Sequence, residues 1–419
     1  MSSNISIKKL IIYSVFFSFQ IMHPVNDIRG SKSSYLKGKK IVLALTGSIA
    51  AVETVKLARE IIRHGAEVIP VMSKFATKII HPDSLWFATG NKPIVELSGD
   101  TEHVKYCGRV KNPADLLLIC PCTANTISKI AHGIDDSSVT TFSTTAIGSK
   151  IPIIIVPAMH LSMYDHKIIQ ENIKKLEKIG INFVQPNIEK NKAKMPDIDE
   201  IVANVIAKTG SKKLSGKKLL VIGGPTAEYV DDTRIITNKS SGKTAIYLAK
   251  NAFYMGAEVN LWYGRANEKP PEYIKRKNFT TTKDLLKLVE ENKLSKYDII
   301  IVCAAISDYK PIKSEGKIPS GKENLALKLK PTQKILPIIR KKSPKSKIVA
   351  FKVEEKKEKL RIKSKNLLEK NNLDFVVGNT ISGFESEKNH IIIFDKKGKS
   401  FSKKGKKENL ANFILEIIT

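Results

Sequence analysis

The stretch Leu219–Ile246, LLVIGGPTAEYVDDTRIITNKSSGKTAI, constrains the fold of this chain more than any other. An unbroken apolar run ends in a Gly-Gly-Pro-Thr turn. A second polar loop, Asn238-Lys239-Ser240-Ser241-Gly242-Lys243, then leads into a helix-forming segment. Continuous Ile/Val/Leu strands belong to parallel sheets covered on both faces, and such sheets need a crossover helix between strands. The same construction stands earlier, at Ile41–Val52, IVLALTGSIAAV. Both loops are rich in Gly, Ser and Thr, and helix N-termini and tight glycine turns are natural anion sites. Two such loops point to a nucleotide, a phosphorylated substrate, or both.

The pattern predicts an α/β chain of two Rossmann-like, three-layer domains with mainly parallel sheets. A length of 419 residues is comfortable for two domains. The first has strands at Ile41–Thr46, Glu67–Met72, Leu116–Cys120 and Ile151–Val156, with helices at Ala50–His64 and Ala124–His132. A helix at Ile198–Thr209 closes it, and the polar linker Gly210–Gly216 follows. Strands at Leu219–Ile222, Glu258–Tyr263, Ile299–Ala304, Ile348–Lys352, Phe375–Gly378 and His390–Phe394, and a final helix Glu408–Ile418, make the second. The expected division is an extension over 1–38, a first domain over 39–210 and a second over 211–419. Ligands in such sheets sit beyond the carboxyl ends of the strands, where Gly47-Ser48, Ser73, Thr123-Ala124-Asn125 and Met159-His160 fall.

The net charge of +30, from 71 Lys+Arg against 41 Asp+Glu, fits anionic ligands. The lysines are scattered and no aromatic-spaced basic motif occurs, so nucleic acid is not expected as a partner. Four cysteines, with Cys120-Pro121-Cys122 too tightly spaced for a C-x-x-C pair, suggest no disulfide framework and a cytoplasmic protein. Leu10–Met22 is apolar but shorter than the about 20 residues that span a bilayer, and no clean cleavage site follows it. No membrane association is expected, and Met22 reads as the true start, with residues 1–21 an over-extended frame.

TGSIAA, then VMSKFATKII at Val71–Ile80, Glu102-His103, CPCTANTISKIAHGIDDSSVTT at Cys120–Thr141 and PAMHLSMY at Pro157–Tyr164 follow one another in this order. Over about residues 39–205 that order resembles the flavoprotein cysteine decarboxylases, in particular the phosphopantothenoylcysteine decarboxylases of coenzyme A biosynthesis. The resemblance implies FMN held by Gly47, Ser48, Ile49, Ser73, Thr123, Ala124, Asn125 and Met159, and His103 as the histidine of the oxidative decarboxylation. Oxidation of the thiol carbon lets the carbanion left by CO2 delocalise as an enethiolate, and hydride return leaves no net redox change. Two departures stand out. The family's Pro-x-Met-Asn motif has His160 at the Asn position, and an imidazole still donates one hydrogen bond. The segment Asn187–Met195 lacks the family's proton-donating Cys. Lys192, Lys194, His160 or water then supplies that proton, or the step is lost.

The Leu219–Lys243 segment resembles the phosphopantothenate–cysteine ligases, whose pattern is G-G-T-x-E-x-x-D-x-V-R-x-I-x-N-x-S-S-G-K. The likeness continues through Ala304–Pro311, Gly316–Lys322, Val349–Glu354 and Leu373–Thr380. It implies CTP as co-substrate and an acyl-cytidylate between 4′-phosphopantothenate and L-cysteine, with crowded anions neutralised by Lys and Mg²⁺. Lys317 matches the lysine of acyl-cytidylate formation, and Asn238 the asparagine that assists cysteine attack. Asp308 would serve Mg²⁺ or the nucleotide. Gly224, Ser240, Ser241, Gly242, Ala305, Phe351 and Lys370 would complete the nucleotide pocket. Only the first lysine of the family's Lys-x-Lys-Lys is kept, and Lys322 is placed to compensate. The order decarboxylase then ligase is that of archaeal and bacterial bifunctional chains, and the family's trimers and dimers imply a homo-oligomer.

Blander roles stay open for single residues: a helix cap for Asp308, a turn former for Asn238, and a bare strand–helix turn at Gly47. An NAD(P)-dependent oxidoreductase requires G-x-G-x-x-G, which neither Ile41–Val52 nor Leu219–Thr226 supplies. A ligase fused to a flavin-binding but inactive first domain is the other alternative.

Overall fold

The computed structural model describes residues 23–321, 324–380 and 388–419. The expected start at Met22 and the compensating Lys322 lie outside the described residues. The chain divides between Gly210 and Ser211 into two compact units, and each builds its own sheet.

In the first unit, β1 (Lys40–Leu45), β2 (Glu67–Met72), β3 (Leu116–Cys122), β4 (Ile153–Pro157) and, after the short β5 (Met159–His160), β6 (Asn182–Phe183) appear in chain order. The five-stranded sheet has the order β2-β1-β3-β4-β6 and is parallel throughout. Residues Ile41–Leu45 and Leu116–Cys122 are buried without interruption, because helices cover both faces. The connection β1 to β2 differs in detail from the expected helix Ala50–His64. It opens as a 3₁₀ turn, Ile49–Glu53, and only then becomes the α-helix Thr54–Arg63. Thr54 spends its hydroxyl on the Ala51 carbonyl, 2.5 Å away, which suits a tight turn better than a helix interior. The helix Ala124–His132 has the anticipated limits, with Thr123 as N-cap and Gly133 in the left-handed region. Segment Asn187–Met195 forms the hairpin β7 (Asn187–Glu189) and β8 (Lys192–Lys194), whose second strand pairs antiparallel with β5.

In the second unit the strands are β9 (Lys218–Gly223), β10 (Ala227–Tyr229), β11 (Ile235–Thr237), β12 (Glu258–Tyr263), β13 (Lys275–Asn278), β14 (Ile299–Val302), β15 (Tyr309–Pro311), β16 (Leu329–Pro331), β17 (Lys347–Glu354), β18 (Phe375–Thr380), β19 (Lys388–Asp395) and β20 (Ser400–Lys406). Eight of them form one sheet, β13-β12-β9-β14-β17-β18-β19-β20, parallel as far as β18 and antiparallel over the last two pairs. Leu219 and Val221 enter one apolar core while Leu220 and Ile222 enter the other, so β9 feeds both faces. The sequence gives no apolar warning of β20, SFSKKGK. It is an edge strand, and lysines on an edge discourage pairing with another chain. Among the described residues no helix is long and apolar enough to cross a membrane.

Candidate active sites

The first site gathers at the carboxyl ends of β1, β3 and β4. The Thr46 hydroxyl donates to the Pro121 carbonyl at 2.8 Å and accepts from the Thr123 N–H at 3.0 Å, which locks the two strand ends together. Gly47 follows directly. A Cβ there would stand 2.6 Å from the Phe75 Cβ, so only glycine admits this approach. The resulting cavity, of about 620 Å³, is lined by Gly47, Ser48, Ile49, Thr123, Ala124, Met159 and His160, with Met163, Lys192, Lys194 and Met195 at its sides. Its walls are mostly apolar, with hydroxyls at the strand ends, which suits a flat aromatic ring carrying a phosphate. Nothing in this donor set resists FMN.

Other expected residues lie apart. Ser73 anchors the turn after β2, where its hydroxyl accepts from Ala76 N–H at 3.2 Å, and it does not line the cavity. Asn125 is exposed on the first turn of its helix. His103 lies on the helix Glu102–Cys107, outside the cavity lining, and its Nδ1 is buried with no hydrogen-bond partner among the described residues. The hairpin supplies what the sequence could not locate. β5 and β8 pair Met159 with Ala193 and His160 with Lys192. Directly opposed residues project to the same face, so Lys192 stands beside His160. Ser162 lies against His160 Nδ1, its hydroxyl 2.9 Å away and its N–H donating at 3.4 Å. Lys194 is engaged by Glu189 at 2.6 Å.

The second site forms where β9, β14, β17 and β18 end. Gly224 has φ +79°, and a Cβ would fall 2.9 Å from the Gly264 nitrogen. Gly242, at φ +78°, caps the helix Lys243–Tyr254, and a Cβ there would meet the Tyr263 hydroxyl at 1.9 Å. Gly224, Ser240, Ser241, Gly242, Ala305 and Phe351 line a small cavity of about 110 Å³. Asn238, Ala305, Asp308, Phe351 and Lys370 line an adjoining one of about 670 Å³. Ala305 and Phe351 border both. Ala305 is the hub. Its N–H donates to Gly224 at 3.0 Å, and its carbonyl accepts from Thr226 N–H at 3.2 Å and Asn238 Nδ2 at 3.0 Å. Among the described residues, Lys239, Lys334, Lys352 and Lys370 line the larger cavity with one carboxylate, Asp308, which Lys334 engages, while Lys352 pairs with Glu354 at 3.0 Å. This is a field for polyanions.

Lys317 lines neither cavity. It lies exposed on the loop after β15. Three features escape a reading of sequence alone. Asn379, at the end of β18, borders the small cavity with its Oδ1 buried and without a partner among the described residues. Cys303 borders it too, and burial pushes its thiol up to about 12, so it stays protonated at neutral pH. Asp231, in the turn between β10 and β11, is fully buried. Among the described residues no group of three or more His, Cys, Asp or Glu is placed to hold a metal ion.

Residues 29–210 match the Flavoprotein family model, and residues 214–419 match that of the DNA/pantothenate metabolism flavoprotein C-terminal domain. The chain is 48% identical over 389 residues to the coenzyme A biosynthesis bifunctional protein CoaBC of Thermococcus kodakarensis, covering 92% of this chain and 95% of the relative. To the protein of the same name from Methanocaldococcus jannaschii it is 42% identical over 373 residues, covering 87% and 89%. Among solved structures, the DNA/pantothenate metabolism flavoprotein from Streptococcus pneumoniae aligns with a TM-score of 0.45 at 27% identity, over 48% of this chain and 98% of that one. With both halves matched in order and near-full-length relatives at this identity, the chain belongs to the family of coenzyme A biosynthesis bifunctional proteins.

Proposed function

We propose that the two units run consecutive steps of coenzyme A biosynthesis. The second unit joins 4′-phosphopantothenate to L-cysteine at the expense of CTP. The first removes the cysteinyl carboxylate to leave 4′-phosphopantetheine. The observation that carries this reading is the convergence on Ala305 of the Gly224 turn, Asn238 and a lysine-lined cavity, in one chain with the Gly47 cavity.

In the ligase step, the Ser240–Gly242 loop and the helix behind it take the phosphates, and Phe351 and Lys370 border the nucleoside. Lys317 neutralises charge as the substrate carboxylate attacks the α-phosphate of CTP and pyrophosphate leaves. Asn238, held by the Ala305 carbonyl, orients the acyl-cytidylate for attack by the cysteine amine, and CMP leaves. Asp308 alone does not form a metal site, and we assign magnesium to the triphosphate that brings it.

In the decarboxylation, FMN when bound supplies reversible two-electron oxidation of the substrate. Gly47, Ser48, Ile49, Thr123, Ala124 and Met159, which line the cavity, would hold it. His160 Nε2 faces the substrate, since Nδ1 accepts from Ser162. Lys192, paired opposite His160, returns a proton to the enethiolate carbon. Ile49, at the cavity, and Phe75 are 77% and 70% exposed, which supports a contact between copies of the chain. We place the protein in the cytoplasm, with no nucleic-acid or membrane partner.

The test is turnover of each half with purified full-length protein. The protein should bind FMN, and pyrophosphate should form only with CTP and 4′-phosphopantothenate together. Lys192→Ala should slow decarboxylation about 100-fold, the range in which a positioned proton donor acts, and Lys194→Ala should not. Equal rates for Lys192→Ala and wild type would remove the lysine from the mechanism.

A further inference from the structure

The loop that carries Lys317 is exposed, yet one point of it is tied down. Ile318, its next residue, is buried. The Ile318 N–H donates to Asp231 Oδ2 at 3.0 Å, and the Ile318 carbonyl accepts from Arg234 Nη1 at 3.1 Å. Asp231 itself accepts from Thr233 N–H at 2.8 Å, from the Thr233 hydroxyl at 3.0 Å and from Arg234 N–H at 2.7 Å, and it forms an ion pair with Arg234. Two backbone bonds flank the same contact. Ser314 N–H donates to Val230 at 2.9 Å, and Asp232 N–H to Gly316 at 3.3 Å.

The other end of this arrangement reaches the nucleotide site. Asp231 sits in the turn between β10 and β11. β11 runs from Ile235 to Thr237, and Asn238 follows at once. The Thr237 hydroxyl donates to the Thr226 carbonyl at 2.8 Å, and Asn238 is held by Ala305. One short hairpin therefore fastens the Lys317 loop at its turn and presents Asn238 at its foot. Burial opposes charge on Asp231, but the N–H groups of Thr233, Ile318 and Arg234 outweigh it and hold the carboxyl far below the usual range. The anion is thus present throughout the working pH of an enzyme.

We propose that Asp231 is a positioning residue of the ligase step: its carboxylate latches the peptide of Lys317 to the hairpin that presents Asn238, so that the ammonium and the amide act from one rigid support. The proposal rests on the reading that Lys317 serves acyl-cytidylate formation. Asp231 touches no substrate. It restricts where the Lys317 stem begins, and lost pre-organisation is lost rate rather than lost binding.

The experiment is a double-mutant cycle in the full-length protein, read as pyrophosphate release at saturating CTP and 4′-phosphopantothenate. Asp231→Asn keeps the shape of the side chain but removes the charge that holds Arg234 and one acceptor. We expect kcat to fall at least tenfold with KM for CTP changed less than threefold, and the double variant Asp231→Asn/Lys317→Ala to be no slower than Lys317→Ala alone. Multiplying losses would make Asp231 a general structural residue and overturn the latch. Unchanged kcat in Asp231→Asn beside a slow Lys317→Ala would overturn the latch alone. A Lys317→Ala variant at wild-type rate would sink the role of Lys317 and the latch with it. Should Asp231→Asn not fold, amide exchange of residues 314–320 in wild type decides. Slow exchange at Ile318 is expected, and exchange at the unstructured rate would overturn the proposal.

Discussion

Asp374 ties three parts of the second unit together. Its carboxylate accepts from Ile348 N–H at 2.9 Å, Arg340 Nη2 at 2.8 Å and Lys396 Nζ at 2.9 Å, and its side chain is only 17% exposed. Burial raises its carboxyl, but those three donors prevail and hold it below the usual range. A group with a depressed folded pKa contributes stability that is complete above its unfolded value, about 3.9, and is lost as pH falls through the folded one. Asp374→Ala should therefore destabilise the second unit by about 2–4 kcal/mol at pH 7, seen in urea midpoints, and the difference from wild type should shrink only below about pH 4. Gly242→Ala acts differently, since the added methyl collides with the Tyr263 hydroxyl at a backbone conformation that disfavours it. CTP affinity should drop at least tenfold by calorimetry while FMN binding persists. Glycines such as these were legible from their place between a strand and a helix. The place of His103 outside the cavity lining was not, because spacing along a chain does not reveal which side chains a fold brings together.

At the scale of elements, the strands and helices that bury a continuous apolar face announced themselves. β2, β12 and the helices Ala124–His132 and Ile198–Thr209 lie where the apolar periodicity puts them. The pairs β10–β11, β7–β8 and β15–β16 and the edge strand β20 did not. Apart from the buried Ala193, Ala227 and Pro311, their residues are polar or at least partly exposed, and backbone pairing more than burial defines them. Those unannounced hairpins carry much of the candidate chemistry, including Lys192 and the support of Lys317. The helix Ala124–His132 offers a check on the first site, because Thr123 both caps it and meets Thr46. Thr123→Ala should cost about 1 kcal/mol through the cap and weaken FMN binding in a flavin titration.

Across the whole molecule, each unit has its own core beneath its own strand-end cavity. A ligand stabilises only the unit that binds it. In calorimetry of the full-length protein, FMN should raise one transition and CTP another, with neither ligand moving both by the same amount. The division into two α/β units and their order were readable because strand–turn–helix repetition survives over hundreds of residues. The central claim is that one polypeptide both ligates and decarboxylates. It is tested most directly with carboxyl-labelled L-cysteine and full-length protein loaded with FMN. Labelled CO2 should appear only when CTP and 4′-phosphopantothenate are both supplied, in amounts matching the CMP released. Labelled CO2 without CTP, or CMP release with no CO2, would contradict the account.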